Sequence, residues 1–176
     1  YMIEEDGRVF ALVGEADRAW HAGVSYWRGH RNINARSIGI ELVNPGHEFG
    51  YRGFPEVQMQ ALEALALDII SRHPIPRRNV VGHSDIAPTR KDDPGELFDW
   101  RSLAAQGIGL WPERAEHGPD NVMDALSVIG YDTVDCARSL AAFQRHFRQS
   151  EVHGHADTDT RCWLQGTANM YAASGS

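Results

Sequence analysis

Pro55-Glu56-Val57-Gln58-Met59-Gln60-Ala61-Leu62-Glu63-Ala64-Leu65-Ala66-Leu67-Asp68-Ile69-Ile70-Ser71-Arg72-His73-Pro74 is the stretch on which the fold turns. Val57, Met59, Leu62, Leu65, Ile69 and Ile70 recur at helical spacing. Pro55 sits near the first turn, where its fixed φ suits a helix start, and His73-Pro74 closes the run. A short Pro-rich turn leads to Asn79-Val80-Val81-Gly82, whose branched apolar residues predict a strand. Helix followed by strand in this order predicts a crossover and a mixed α/β layer.

Working outward, Ser37-Ile38-Gly39-Ile40-Glu41-Leu42-Val43 alternates branched apolar residues with small or polar ones, as a packed strand would. Further upstream, Tyr1-Met2-Ile3 and Val9-Phe10-Ala11-Leu12-Val13 flank an acidic turn in which Asp6-Gly7 supplies the reversal. After Trp100 the composition shifts. Asp99 to Ala105 predicts a short helix, and residues 113–120 read as a linker rich in Gly, Pro and charge. Asp120 to Gly130, Asp135 to Arg148 and Asp157 to Tyr171 each carry helical patterning. The expected architecture is α/β: a mixed central sheet flanked by helices over residues 1–112, then the linker, then a small three-helix domain over 121–176. At about 55 residues that domain lies near the lower limit for independent folding.

Bulk properties narrow the function. The 176 residues carry a net charge of −7, with 42% hydrophobic and 23% charged residues. Those proportions describe a globular chain rather than a disordered one. The negative field repels a nucleic-acid backbone, so nucleic acid is not an expected partner. No apolar run is long enough to cross a bilayer, and the chain is read as a monomer. Cys136 and Cys162 stand apart from any Cys-x-x-Cys pattern, and spacing alone leaves their pairing open.

The chemistry is concentrated just after the Asn79–Gly82 segment. His83 is followed eight positions later by Lys91 and ten positions later by Asp93, across a loop containing Pro88 that can fold back on itself. Zinc accepts neutral imidazole nitrogen and carboxylate oxygen in tetrahedral sites, and a catalytic site leaves one position open for water. A lysine beside such a site can stabilise an oxyanion. Glu41 ends a strand, where a carboxylate is either solvated or placed for proton transfer. His21, between Trp20 and the small residues Ala22-Gly23, reads as a substrate contact on a cleft wall that Trp20 flanks. Asn34 is a further cleft candidate. Phe143 and Phe147, four apart on a helix, read as core residues.

Three ordered motifs resemble the zinc-dependent N-acetylmuramoyl-L-alanine amidases of the amidase-2 type. They are Trp20-His21-Ala22-Gly23-Val24-Ser25, Ser37-Ile38-Gly39-Ile40-Glu41-Leu42, and Val81-Gly82-His83-Ser84-Asp85-Ile86-Ala87-Pro88 with Arg90-Lys91-Asp92-Asp93-Pro94-Gly95. The segment Ala141 to Arg148, with Gly154-His155-Ala156-Asp157, looks like the helical peptidoglycan-binding domain of the two-domain, envelope-associated branch. The resemblance implies hydrolysis of the amide between N-acetylmuramic acid and L-alanine of the stem peptide. It implies Zn2+ held by His83 and Asp93, Glu41 as acid/base and Lys91 as the cation beside the metal. It also implies a third ligand, a histidine expected upstream of Tyr1 on a first strand that this N-terminally truncated sequence would lack. A peptidoglycan or muropeptide partner and a cell-envelope or periplasmic location, with a lipid anchor in the parent protein, follow from the same resemblance. Two other readings use the same residues: a non-catalytic peptidoglycan-recognition module, and a zinc peptidase cutting another bond.

Overall fold

The computed structural model describes residues 1–174. Its longest helix, α1 (Glu56–Arg72), begins after Pro55 and ends where His73 turns extended, as the periodicity predicts. Gln58, Leu62, Ala66 and Ile69 form its buried face. Val57 departs from the expectation, being 48% exposed. It lies over the turn at Gly7, whose φ is +85°. Glycine alone adopts that angle without strain.

Gln58 fixes α1 to the sheet. Its side chain is fully buried, and its amide donates to the carbonyls of Ile3 and Val43, both at 3.0 Å. These belong to or flank a mixed three-stranded sheet of β1 (Met2–Ile3), β2 (Val9–Phe10) and β5 (Glu41–Leu42), in the order β2-β1-β5. The β1 and β2 strands pair antiparallel through the Asp6-Gly7 turn, with Met2 opposite Phe10. Strand β5 pairs parallel with β1, setting Glu41 opposite Met2.

A parallel pair requires a long connection. Here it contains a second hairpin, β3 (Tyr26–Trp27) and β4 (His30–Arg31). Arg28 at φ 49° and Gly29 at φ 82° turn that hairpin, both with the positive angles that two-residue hairpin loops favour. The expected strand at Asn79–Gly82 is not a strand. Residues 77–79 form a 3-10 turn, and although Val80 and Gly82 have extended dihedrals, they enter no ladder among the described residues. Branched apolar residues set the backbone angles there, but a strand also needs a partner.

Beyond this lie α2 (His83–Ile86), α3 (Trp100–Ala105), α4 (Val122–Ile129), α5 (Cys136–Phe147) and α6 (Thr158–Ala173). Side chains of Asn121, Asp135 and Asp157 accept the first free N–H groups of α4, α5 and α6, as N-caps do. Residues 113–120 lie along α6, where Ala115 N–H bonds Cys162 O at 3.1 Å. Glycine at 166 makes this approach possible, since a Cβ there would run into the Glu113 carbonyl. Cys136 and Cys162 are both free thiols.

Two apolar clusters form the interior. One gathers Ile3, Leu62, Ala66, Phe98, Trp100, Leu103 and Ile108 between α1, the sheet and α3. The other joins Leu126, Ile129, Phe143, Phe147 and Leu164 of the last three helices to Ala22, Trp27, Ile33 and Ile86. Phe143 and Phe147 are core residues, 0% and 2% exposed.

Candidate active site

His83 is the first residue of the single-turn helix α2, delivered by the extended Val80–Gly82 backbone. The loop after it returns, and Ser84 N–H donates to the carbonyl of Asp93 at 2.8 Å. Gly82 permits the return, because a Cβ would stand 2.8 Å from Pro94 Cδ. The far side of the turn is held by Tyr51, whose hydroxyl donates to Pro94 O at 2.7 Å and accepts Leu97 N–H at 2.9 Å. Burial pushes the Tyr51 phenol up to about 12, so it remains a donor at neutral pH.

Within this frame His83 Nδ1 faces Asp93 Oδ2 at 3.0 Å. The other ring nitrogen, Nε2, lies 3.1 Å from Ala22 O, a carbonyl to which it can only donate. That assignment makes Nδ1 the lone-pair nitrogen of the neutral ring, the arrangement typical of a metal-ligating histidine whose second nitrogen bonds a carbonyl. A neutral Nδ1 and an ionised carboxylate would then present lone pairs to each other, a contact that calls for a proton or a cation between them. Partial burial opposes ionisation of Asp93. When a proton does occupy Nδ1, its hydrogen bond and charge, with Lys91 adding to them, hold the Asp93 carboxyl below the usual value despite that burial.

Ala22 is fixed from every side. Asn34, 5% exposed, accepts Ala22 N–H at 2.7 Å, and Arg90 Nη2 donates to Ala22 O at 2.9 Å. Asn34 therefore serves the cleft through the backbone of Ala22. His21 packs against Gly39, where a Cβ would come within 2.5 Å of the ring. Its Nε2 lies 3.2 Å from Ser37 Oγ, and burial, with the charge of His83 adding to it, holds the imidazole below the usual histidine range. Trp20 is 78% exposed, with the Arg18 guanidinium 4.1 Å above its ring.

One cavity of about 1460 Å³ is lined by His83, Asp93, Glu41, Lys91, His21 and Trp20. Three side chains that support it are not singled out by the sequence reading: Tyr51, Arg90 and Asp85. Asp85 leaves a trace, since a carboxylate three residues after Gly82 suits a helix N-terminus. Its Oδ2 accepts Gly82 N–H at 2.7 Å. Tyr51 and Arg90 act on residues 43 and 68 positions away and leave none.

As metal donors, His83 Nδ1 and Asp93 Oδ2 fit one edge of a tetrahedral zinc shell, where ligand atoms stand about 3.3 Å apart. Together they supply two protein donors. Among the described residues, three potential donors converge within 4.8 Å at another place, Glu151, His153 and Asp157. Arg148 sits on that group, 2.8 Å from Asp157 and 3.1 Å from Glu151, so its carboxylates already have their cation.

The sequence profile of the family described as N-acetylmuramoyl-L-alanine amidase matches residues 1–96. N-acetylmuramoyl-L-alanine amidase AmiD of Escherichia coli is 42% identical, over 93% of this chain and 68% of AmiD. The 1,6-anhydro-N-acetylmuramyl-L-alanine amidase AmpD of Enterobacter cloacae is 43% identical, over 59% of this chain and 54% of AmpD, so the chain spans about half of that relative. The E. coli AmiD complex with anhydro-N-acetylmuramic acid-L-Ala-D-gamma-Glu-L-Lys superposes with a TM-score of 0.84, covering 93% of this chain and 73% of the other. Pseudomonas aeruginosa AmpDh3 with anhydromuramic pentapeptide gives the same TM-score at 38% identity, covering 93% and 74%.

Proposed function

The chain belongs to the N-acetylmuramoyl-L-alanine amidase family, and we propose that His83, Asp93, Glu41 and Lys91 form its hydrolytic centre for the bond between N-acetylmuramic acid and L-alanine. The observation that carries this reading is the facing pair His83 Nδ1 and Asp93 Oδ2 at 3.0 Å, with His83 Nε2 committed to Ala22 O. These two groups would hold zinc, which when bound supplies Lewis acidity to the carbonyl and acidifies water.

The chain's own residues supply the rest. Glu41, at the cavity wall, takes a proton from the attacking water and returns it to the leaving amine, as a carboxylate able to cycle between its two forms can. Lys91 places a positive charge where the carbonyl oxygen becomes anionic. His21, held neutral by burial, and the exposed indole of Trp20 contact the muramyl and peptide portions of the substrate. The relatives were solved with anhydromuramyl peptides, and we assign the same class of muropeptide to this cavity.

The division into an amidase part over 1–112, a connecting segment over 113–120 and a helical part over 121–176 is supported by coverage, since AmpD matches 59% of the chain and AmiD 93%. A monomer working in the cell envelope is the setting we assign. Among the described residues no helix is long and apolar enough to cross a membrane.

Incubation of the zinc-supplemented protein with anhydromuramyl-tripeptide, followed by mass spectrometry, tests this function. Free tripeptide and anhydro-N-acetylmuramic acid are expected. Cleavage within the peptide, or intact substrate, would overturn the proposal.

A further inference from the structure

Asp85, two residues after His83, is 1% exposed and has all of its hydrogen bonds inside the protein. Its Oδ2 accepts from Gly82 N–H and from His146 Nδ1, each at 2.7 Å, and its Oδ1 accepts the Tyr131 hydroxyl at 2.6 Å. Tyr131 follows α4 after Gly130, and His146 lies on α5. The His146 ring is stacked between Trp100 and Phe147, with centroids 3.9 and 4.0 Å away, which prevents it from swinging off the carboxylate. At the other end of the same loop, Arg145 Nη2 reaches Asp92 Oδ1 at 2.7 Å. Two adjacent residues of α5 thus grip the His83–Asp93 loop on both sides of its chemistry.

We propose that α5 is a positioning element of the hydrolytic centre. Through Asp85 and Asp92, the residues Arg145, His146 and Tyr131 set the loop so that His83 Nδ1 and Asp93 Oδ2 face one another. This inference rests on the reading of those two groups as metal donors. None of the three positioning residues touches the reacting atoms. A helical module serving only as a substrate tether would need no buried carboxylate shared with the loop, because an ionised group taken out of water is retained only when fully partnered. Its loss would change substrate affinity alone.

The test uses the whole chain and three readouts: zinc affinity by chelator competition, kcat and KM on anhydromuramyl-tripeptide, and hydrogen exchange of the amides of Ser84, Ala87 and Lys91. All three amides are hydrogen-bonded within the loop. His146→Phe keeps the ring stack and removes the donor. It is expected to speed loop exchange about tenfold relative to α1 amides, weaken zinc about tenfold and lower kcat with KM unchanged. His146→Asn, whose amide can donate from near the Nδ1 position but lacks the stacked ring, restores all three in part, above the His146→Phe level. Should His146→Phe fail to fold, Arg145→Asp carries the same expectation from the more accessible arm, with recovery in the Arg145→Asp, Asp92→Arg double variant. Parent-like loop exchange in these variants, or a raised KM with parent-like kcat and zinc affinity, would overturn the inference. If the parent neither binds zinc nor cleaves the muropeptide, the metal reading fails, while loop exchange still decides whether α5 holds the loop.

Discussion

Ser84 donates its backbone N–H to the carbonyl of Asp93 at 2.8 Å, a main-chain bond that closes the loop between His83 and the carboxylate ten residues later. The side-chain pair at 3.0 Å lies across the loop that this bond closes, so the bond does not depend on the Asp93 carboxylate. Replacing Asp93 with Ala should therefore leave the loop closed and remove one of the two proposed zinc donors. Zinc content by elemental analysis should fall by an order of magnitude or more at fixed free zinc. Unchanged zinc content would remove Asp93 from the ligand set.

Glu41 is placed by main-chain pairing, since its N–H bonds Tyr1 O at 3.0 Å in the parallel ladder while its side chain is exposed at the cavity. Glu41→Gln is nearly isosteric and should not disturb that ladder. The expected result is a fall in kcat of about 10²- to 10⁴-fold, with zinc affinity and thermal midpoint as in the parent. A variant retaining full turnover would exclude Glu41 as the acid/base.

Features legible in the sequence are those whose causes are local. The α1 helix follows from its apolar spacing, Pro55 and His73-Pro74, and the β1–β2 turn from Asp6-Gly7. His83 and Asp93 are legible as candidates because they stand ten residues apart across a Pro88-containing loop that can fold back, as the Ser84 N–H to Asp93 O bond makes it do. The segment Asn79–Gly82 misleads because its composition specifies extended dihedrals and is silent about a neighbouring strand. Tyr51 and Arg90 carry no signal because their roles arise only when residues 43 and 68 positions distant meet them. Asn34 reads as a cleft candidate, and its side chain bonds the Ala22 amide.

Gly39→Ala probes the cleft wall. A methyl there would stand 2.5 Å from the His21 ring, far inside van der Waals contact, so the imidazole must leave Ser37 Oγ. Overpacking of this kind costs roughly 1–3 kcal/mol, measurable as a lowered urea midpoint. Because His21 is assigned to substrate contact, KM should rise with zinc affinity unchanged. Parent-like KM in a folded Gly39→Ala protein would place His21 outside the substrate site.

Acid should weaken the fold at two carboxylates outside the His83–Asp93 pair, Glu15 at the rim of the cavity and Asp157 at the N-cap of α6. Glu15 is held below the ordinary carboxylate value of 4.5 by hydrogen bonds from Arg72, Tyr1 and His73. Asp157, despite a desolvation cost, is held below its ordinary 3.8 by Thr160 N–H, Arg148 and the Thr160 hydroxyl. A carboxyl depressed in the folded state contributes stability that is complete above its unfolded value and is lost as pH falls toward the folded one. Urea midpoints should thus be flat above about pH 5 and fall between about pH 5 and 3. Asp157→Asn keeps a good N-cap for α6 but cannot titrate, so it should flatten part of that fall, and Glu15→Gln another part. Slopes in both variants matching the parent would mean that other groups govern the acid limb.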